Sequence, residues 1–527
     1  MDSLPEIRTH SSYAQLAEAG HDAVVAVYVG DIAQILSQAP CTTWAEAVAP
    51  FRQIDNKFGK RVALVPASAV AGGRLILSPI ASLDDDTDDV RRVFDAVKSG
   101  VARAIEAGAK APAVYLAPLP ASANAVPDAD YSRWVEVALL AALDASYVTL
   151  VVREHRHLTE GAAAVIEQLQ SIHLIVESFS DAQLSVAAKR ASAIESGRRL
   201  AIDMGYGDPE RMTPYKCAET IRAAASATPG VEFELINDLD TIKKEYPLLY
   251  NSARASFAGN LYLVGKGVTY DTGGISLKIG GSMRGMSRDK LGACGVAGFA
   301  IATGLMQDPT VDLSCILAFE RNSIGPNSLL PDEIVYSRAG VRVLINDTDA
   351  EGRLVMTDPV CECRERILAA RASGSSLPAA IYTVATLTGH VIRAYGWYGA
   401  TVANGPARRG HYDQRLAKSG LAYGDPFENS IMRREDYEFV QSRTDREDVY
   451  QSNSQASTLT DRGHQYPAAF IIKAAGLDKH SLSSGTNAIP FVHVDIAGSA
   501  EDGNEPGLGL CGITGSPVAT FAGAFWS

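Results

Sequence analysis

The chain has 527 residues, 46% of them hydrophobic and 21% charged, with a formal net charge of -13 and a pI near 5.3. That length exceeds what a single hydrophobic core organises, so two domains are expected, and the composition is that of an ordinary soluble globular protein. The acidic balance argues against a nucleic-acid partner, which requires a basic patch, and solubility is sufficient reason for the charge itself.

Seven cysteines, scattered and odd in number, suit a reducing compartment better than a disulfide framework. The opening residues carry no basic and apolar leader, and no run reaches membrane-spanning length, so a cytoplasmic protein with no membrane partner is expected. From Asp22 the pattern alternates. Strand-like runs at 23–29, 61–65 and 74–77 lead to an acidic turn at 84–89. A helix follows with Val90, Val93, Phe94, Val97, Val101 and Ile105 on one face. Gly108 stops it, and 113–117, 147–152 and 172–176 read as strands around helices at 131–143 and 159–169. Such alternation implies a sheet with helices on its faces. Glu154-His155-Arg156-His157 contains an H-x-H, for which a solvated loop is preferred over a metal site, and no G-x-G-x-x-G follows any strand to indicate a dinucleotide.

Residues 180–204 form a helix-prone connector that 205–209 breaks; Thr213 then caps a helix beginning at Pro214. Domains at 1–185 and 186–527 are expected. The second holds two chemically dense stretches. In Asn346-Asp347-Thr348-Asp349-Ala350-Glu351-Gly352-Arg353-Leu354, a β-run through Val341, Val343, Leu344 and Ile345 ends in alternating acids. An extended backbone would place Asp349, Glu351 and Arg353 on one side. Such a row needs a cation, because a buried charge without a partner costs on the order of several kcal/mol. Upstream, 261–278 is an apolar strand running into Lys266, Asp271, Gly273-Gly274 and Lys278, and Asp289 precedes a small-residue helix at 291–305. Four carboxylates and two lysines thus compete for one place.

These two stretches together resemble the leucyl aminopeptidase (cytosol aminopeptidase) family of dinuclear zinc exopeptidases. Its N-T-D-A-E-G-R-L is present with one change as Asp347 to Leu354, and its V-G-K-G-x-x-x-D-[ST]-G-G-x-x-[IL]-K as Val264 to Lys278. The resemblance covers about Gly197 to the end. The segment 320–327 and Tyr270-Asp271-Thr272 look closer to the eukaryotic "probable aminopeptidase" branch than to the bacterial enzymes. The resemblance implies an α/β fold with a smaller N-terminal domain for assembly or regulation and a larger catalytic domain with a mixed central sheet. It also implies removal of an N-terminal residue from peptides with a free N-terminus, and a homohexamer. One metal would take Asp271, Asp349 and Glu351, the other Lys266, Asp271, Asp289 and Glu351. Zinc is the expected metal, with manganese or magnesium as alternatives, the more so if Lys266 is an ion-pair partner rather than a ligand. Lys278 would donate to the developing alkoxide, and Arg353 would hold a bicarbonate ion that carries the proton. A structural ion pair is the competing reading of Arg353. Met286, Thr386 and Gly389 resemble the pocket for the first side chain, and Leu387 the backbone beside bicarbonate; a flexible Met suits a bulky aliphatic residue such as Leu or Met.

Departures from the family pattern bear on this expectation. Asp347 replaces the motif's Asn, with Asn346 as a substitute amide after a register change. Lys290 and His390 stand where small or apolar residues are usual; His390 is expected at the surface, with a narrowed pocket as the alternative. Residues 425–457 read as a charged loop replacing a shorter segment. His493, near Asp495, is expected to form a satisfied core pair with it, and 507–514 to form a closing turn. A catalytically weakened relative with a structural or binding role is the alternative function.

Overall fold

A computed structural model describes residues 4–37, 41–83, 87–121, 123, 126, 129–161, 167–250, 261–308, 311–501 and 512–526. Two compact units emerge, one of Met1–Ser196 with Leu421–Gly424, the other of Gly197–Gly420 with Asp425–Ser527. The expected acidic turn at 84–89, helix at 159–169 and closing turn at 507–514 fall partly outside the described residues.

The first unit is built on strands β1 (Glu6–His10), β2 (Ala23–Val29), β3 (Ala63–Pro66), β4 (Arg74–Ile80), β5 (Pro112–Leu116) and β6 (Ser171–Ile175), in the order β1-β6-β5-β2-β4-β3. All neighbours are parallel except β3 with β4. β5 and β6 are buried throughout, as parallel strands covered on both faces must be. The expected strand at 147–152 is instead the start of a helix, Leu150–Glu160. Both edges of β6 are already taken by β1 and β5, so no strand position is open there. Val151 and Val152 are 44% and 43% exposed. Glu154 to His157 lie on that helix, not in a loop, and His155 and His157, two residues apart, point to different faces.

In the second unit β7 (Leu261–Asp271) and β8 (Leu313–Asn322) are followed by the short β9 (Ile334–Tyr336) and β10 (Arg342–Leu344). Then come β11 (Ala380–Ala385), β12 (Gly399–Ala403), β13 (Phe427–Ile431), β14 (Val449–Tyr450) and β15 (Phe491–Asp495). The main sheet runs β13-β12-β15-β11-β7-β8 and is mixed, β12 and β15 being antiparallel and the other pairs parallel. A small sheet β14-β10-β9 stands beside it. Both units are thus α/β, and the catalytic sheet is mixed as expected. Residues 425–457 are not a loop: they carry β13, the helix Arg434–Phe439 and β14, because Val449 and Tyr450 pair with Val343 and Leu344.

The helix Leu291–Met306, apolar on all sides, is buried against β7. Its glycines let backbones approach: a Cβ on Gly298 would lie 2.4 Å from the Gly197 carbonyl oxygen, and one on Gly197 2.2 Å from that of Gly298. Replacing Gly298 by Ala gains about 1 kcal/mol of helix propensity but forces two backbones apart, an overpacking that costs about 1–3 kcal/mol. Gly298→Ala is therefore expected to lower the melting temperature; an unchanged or raised value in a thermal melt would contradict the close crossing.

Candidate functional site

The site is assembled at the C-terminal end of β7. Between Val268 and Asp271 the register with β8 slips, and the irregularity sets Asp271 opposite Asn322. After Thr272 come two glycines, Gly273 and Gly274, with φ of +86° and +65°. A Cβ on Gly273 would meet the Ser276 carbonyl oxygen at 2.4 Å, and one on Gly274 the Thr348 hydroxyl at 2.8 Å, so glycine is required twice over. The turn returns Lys278 to the strand end, where its ammonium lies 2.7 Å from Asp271 and 2.5 Å from Asp349.

The acidic stretch does not extend. The Asp347 carboxylate accepts the Asp349 N–H at 2.9 Å, bends the chain into a 3-10 turn at Thr348–Ala350, and the helix Glu351–Ala372 begins at once. An Asp at such a position prefers this local bond to a strand ladder, which is why the period of two fails here. Glu351 sits in the first helical turn, where the backbone favours an anion. Arg353, two residues along a helix, faces elsewhere than Glu351: Nη1 donates to the Gln451 carbonyl at 2.9 Å and the guanidinium lies 4.8 Å from the Tyr466 ring centre. Among the described residues no carboxylate pairs with it, and its buried Nε has no partner. The competing ion-pair reading of Arg353 thus has no acid to support it. The Asn346 N–H donates to the Gln451 side chain at 2.9 Å, and its own side-chain oxygen is buried without a hydrogen bond.

Lys266, 3% exposed, closes the other side of the pocket, 2.9 Å from Asp289 and 2.8 Å from Glu351. Gly352 makes room for it, since a Cβ there would be 2.6 Å from Nζ. Thr386 donates from its hydroxyl to Asp289 at 3.0 Å, so it orients that acid in addition to any contact with substrate. The Leu387 N–H donates to Asp495 at 3.1 Å; Met286 lies in the half-buried turn preceding Asp289, and Gly389 opens the helix Gly389–Tyr395 under the Thr388 cap. Motif reading missed Asn322, whose amide donates to Asp271 at 2.8 Å and to the Thr348 carbonyl at 3.0 Å and comes within 3.5 Å of Glu351. It also missed Thr348, which accepts the Ser276 N–H and donates to the Gly273 carbonyl, tying the two stretches together. Their signal in sequence was slight: a polar residue ending an apolar strand, and one hydroxyl inside the motif.

The electrostatics fit cations. Four carboxylates face two ammonium groups, a deficit of two positive charges when all are ionised. Burial pushes Asp289, Asp349 and Glu351 up, against the pull of the lysines, and the neighbouring acids add to the rise. Burial opposes charge on Lys266 as well, but Asp289, Glu351 and Asp271 outweigh it and hold the ammonium above the ordinary lysine value. Oxygens of Asp271, Asp289 and Glu351 lie within 4.8 Å of one another, and Asp289 Oδ2 is buried with no hydrogen bond. A cluster of hard oxygen donors and one amine suits divalent zinc, manganese or magnesium.

Two of the departures are resolved by packing. Lys290 is fully buried and donates to the carbonyls of Gly207 and Ser287. His390 is not simply at the surface: its Nδ1 shares a 2.7 Å hydrogen bond with Nδ1 of His464, which is 1% exposed and bonds Ser430 through Nε2. His493 and Asp495 do not pair. Both project from the same face of β15, but each is satisfied elsewhere: His493 bonds Thr383 on β11 at 2.8 Å, while Asp495 accepts from Leu387 and Thr388 in the loop that follows β11.

Burial pushes His464 down to about 3, helped by His390 and Arg462. A histidine depressed in the fold contributes stability above the unfolded value of about 6.5 and loses it as pH falls towards 3, by at most about 1.4 kcal/mol per unit. Buried Asp425 and Asp495, raised to about 6, act in the opposite sense over part of that range. Urea melts at pH 7 and pH 5 on the parent and His464→Gln isolate the histidine: the variant should lose less stability on acidification, and equal losses would exclude its role.

The family model for the catalytic domain of the cytosol aminopeptidase family matches residues 199–522. The Caenorhabditis elegans protein W07G4.4, named as an aminopeptidase, is 34% identical over 510 residues, 92% of this chain and 93% of that one. The solved leucyl aminopeptidase of Trypanosoma brucei in complex with bestatin superposes with a TM-score of 0.73 at 20% identity, covering 99% of this chain and 96% of that one. The bottromycin maturation enzyme BotP in complex with Mn gives 0.71 at 20% identity, covering 96% and 98%. At such identities the structures speak for the fold alone.

Proposed function

The chain belongs to the cytosol aminopeptidase family and is a metal-dependent peptidase hydrolase; we propose that it removes the N-terminal residue of peptides, preferring bulky aliphatic residues such as Leu or Met. The observation that carries this reading is the buried pocket in which Lys266 and Lys278 face Asp271, Asp289, Asp349 and Glu351.

Asp271, Asp349 and Glu351 would hold one divalent cation, and Lys266, Asp271, Asp289 and Glu351 a second, zinc being the first choice and manganese or magnesium able to serve. When bound, the pair supplies Lewis acidity, lowering the pKa of water and drawing electron density from the scissile carbonyl. Lys278 supplies the hydrogen bond that strengthens as the carbonyl oxygen becomes an alkoxide; the acids around it keep it protonated by outweighing the effect of burial. Arg353, buried and free of any acid partner among the described residues, would hold a bicarbonate ion with its guanidinium, and that ion would supply a proton carrier beside the leaving amine. Leu387 packs on Gly352, the residue before Arg353, where a Cβ would lie 2.7 Å from Leu387 Cδ1. The anionic pocket accepts the free α-amine of a first residue, which an internal peptide bond lacks, so attack is confined to the chain end. Met286, Thr386 and Gly389 would border the first side chain. A cytoplasmic homohexamer is the form in which we place this activity.

Lys278→Ala is expected to lower kcat for leucyl amide by about 10²–10³-fold, the loss typical of one donor to a developing oxyanion, while leaving metal content unchanged. Chelation should abolish hydrolysis, and zinc or manganese should restore it. A parent chain that takes up metal yet cleaves no amino-acid amide would favour the weakened-relative reading instead.

A further inference from the structure

Gln451 follows β14 directly and is fully buried. Its Oε1 accepts the N–H groups of Asn346 at 2.9 Å and Asp347 at 3.0 Å, while Nε2 donates to the carbonyls of Asp347 at 2.9 Å and Ala350 at 3.1 Å. Every bonding position of the amide is therefore used, and all of them on the acidic loop. The Gln451 main chain adds two more contacts: its carbonyl accepts from Arg353 and its N–H reaches the Leu344 carbonyl at 3.4 Å.

We propose that Gln451 is a positioning residue for the metal site and for Arg353, fixing the loop that presents Asp349 and Glu351 and the guanidinium that follows them. The proposal rests on the metal-dependent reading above. Asp347, Asp349 and Glu351 set three carboxylates within five residues, so the loop needs support beyond the one bond that Asp347 makes to the Asp349 N–H. A neutral amide gives that support without altering the charge that attracts cations. A carboxylate in its place would set an anion against two carbonyl oxygens and beside an anionic pocket. The residue thereby ties a segment outside both motifs to the chemistry, much as groups behind a metal's own ligands orient them.

The test uses the full chain, stripped of metal by a chelator and titrated with Mn2+ in competition with a chromophoric chelator. Gln451→Glu keeps the shape and Gln451→Met keeps the volume without the bonds. Asp448→Asn loosens the same strand at its exposed ion pair with Arg342 and serves as the control. Both Gln451 variants should bind Mn2+ about 10–100-fold more weakly, with kcat falling more than KM rises at saturating metal, and Asp448→Asn should stay within about twofold of the parent. Parent-like affinity in the Gln451 variants would overturn the proposal. So would an equal loss in Asp448→Asn, which would assign the effect to the strand, or failure of both Gln451 variants to fold while the control folds. A parent chain that binds no divalent cation would sink the functional reading itself.

Discussion

The ion pairs of Lys266 with Asp289 and Glu351, and of Lys278 with Asp271 and Asp349, are the contacts around which the catalytic unit is arranged, since they collect charge where burial penalises it most. Two ammonium groups leave the acids under-compensated, and Asp289 retains an oxygen with no hydrogen bond. A fold selected for stability alone would replace such a cluster by apolar side chains of similar volume. That it is kept, and braced by Asn322, Thr348 and Thr386, is the mark of a site organised for cations.

The bracing explains why the backbone takes unusual forms here. Residues 273 and 274 are glycine because the turn takes positive φ there and because the Ser276 carbonyl and the Thr348 side chain leave no space for a Cβ, and Gly352 is small so that Lys266 can approach a helix start. The slip in register before Asp271 turns a regular strand into a platform whose last residue faces Asn322. Sequence positions that look like punctuation are therefore steric requirements of the pocket.

Much of this was legible in the residues. The long apolar run of β7, the small-residue helix after Asp289 and the Thr213 cap each follow local rules, and the structure contains β7 at Leu261–Asp271, the helix at Leu291–Met306 and the cap accepting from Lys216. The motif residues Lys266, Asp271, Lys278, Asp289, Asp349 and Glu351 come together in one pocket. What patterning misses is local capping and pairing with distant chain. Period two predicts an extended chain through Asp349 because it cannot see that Asp347 will cap its neighbour. Residues 147–152 have strand composition, yet the chain there enters the helix Leu150–Glu160 and both neighbours of β6 are β1 and β5. The charged run at 425–457 gave no hint that its end would pair with β10, and His390 gave none that a second imidazole waited beneath it.

The place of β15 has a temporal consequence. It lies between β11 and β12, although Phe491–Asp495 is the last of these strands in the chain. A nascent polypeptide emerging from the ribosome must hold β11 and β12 apart, or unjoined, until Phe491–Asp495 has been translated, and Asp495 then secures Leu387 and Thr388. Pairings so remote in sequence form late and slowly. Chains that stop before Phe491 would therefore contain every motif residue yet lack the strand that joins β11 to β12.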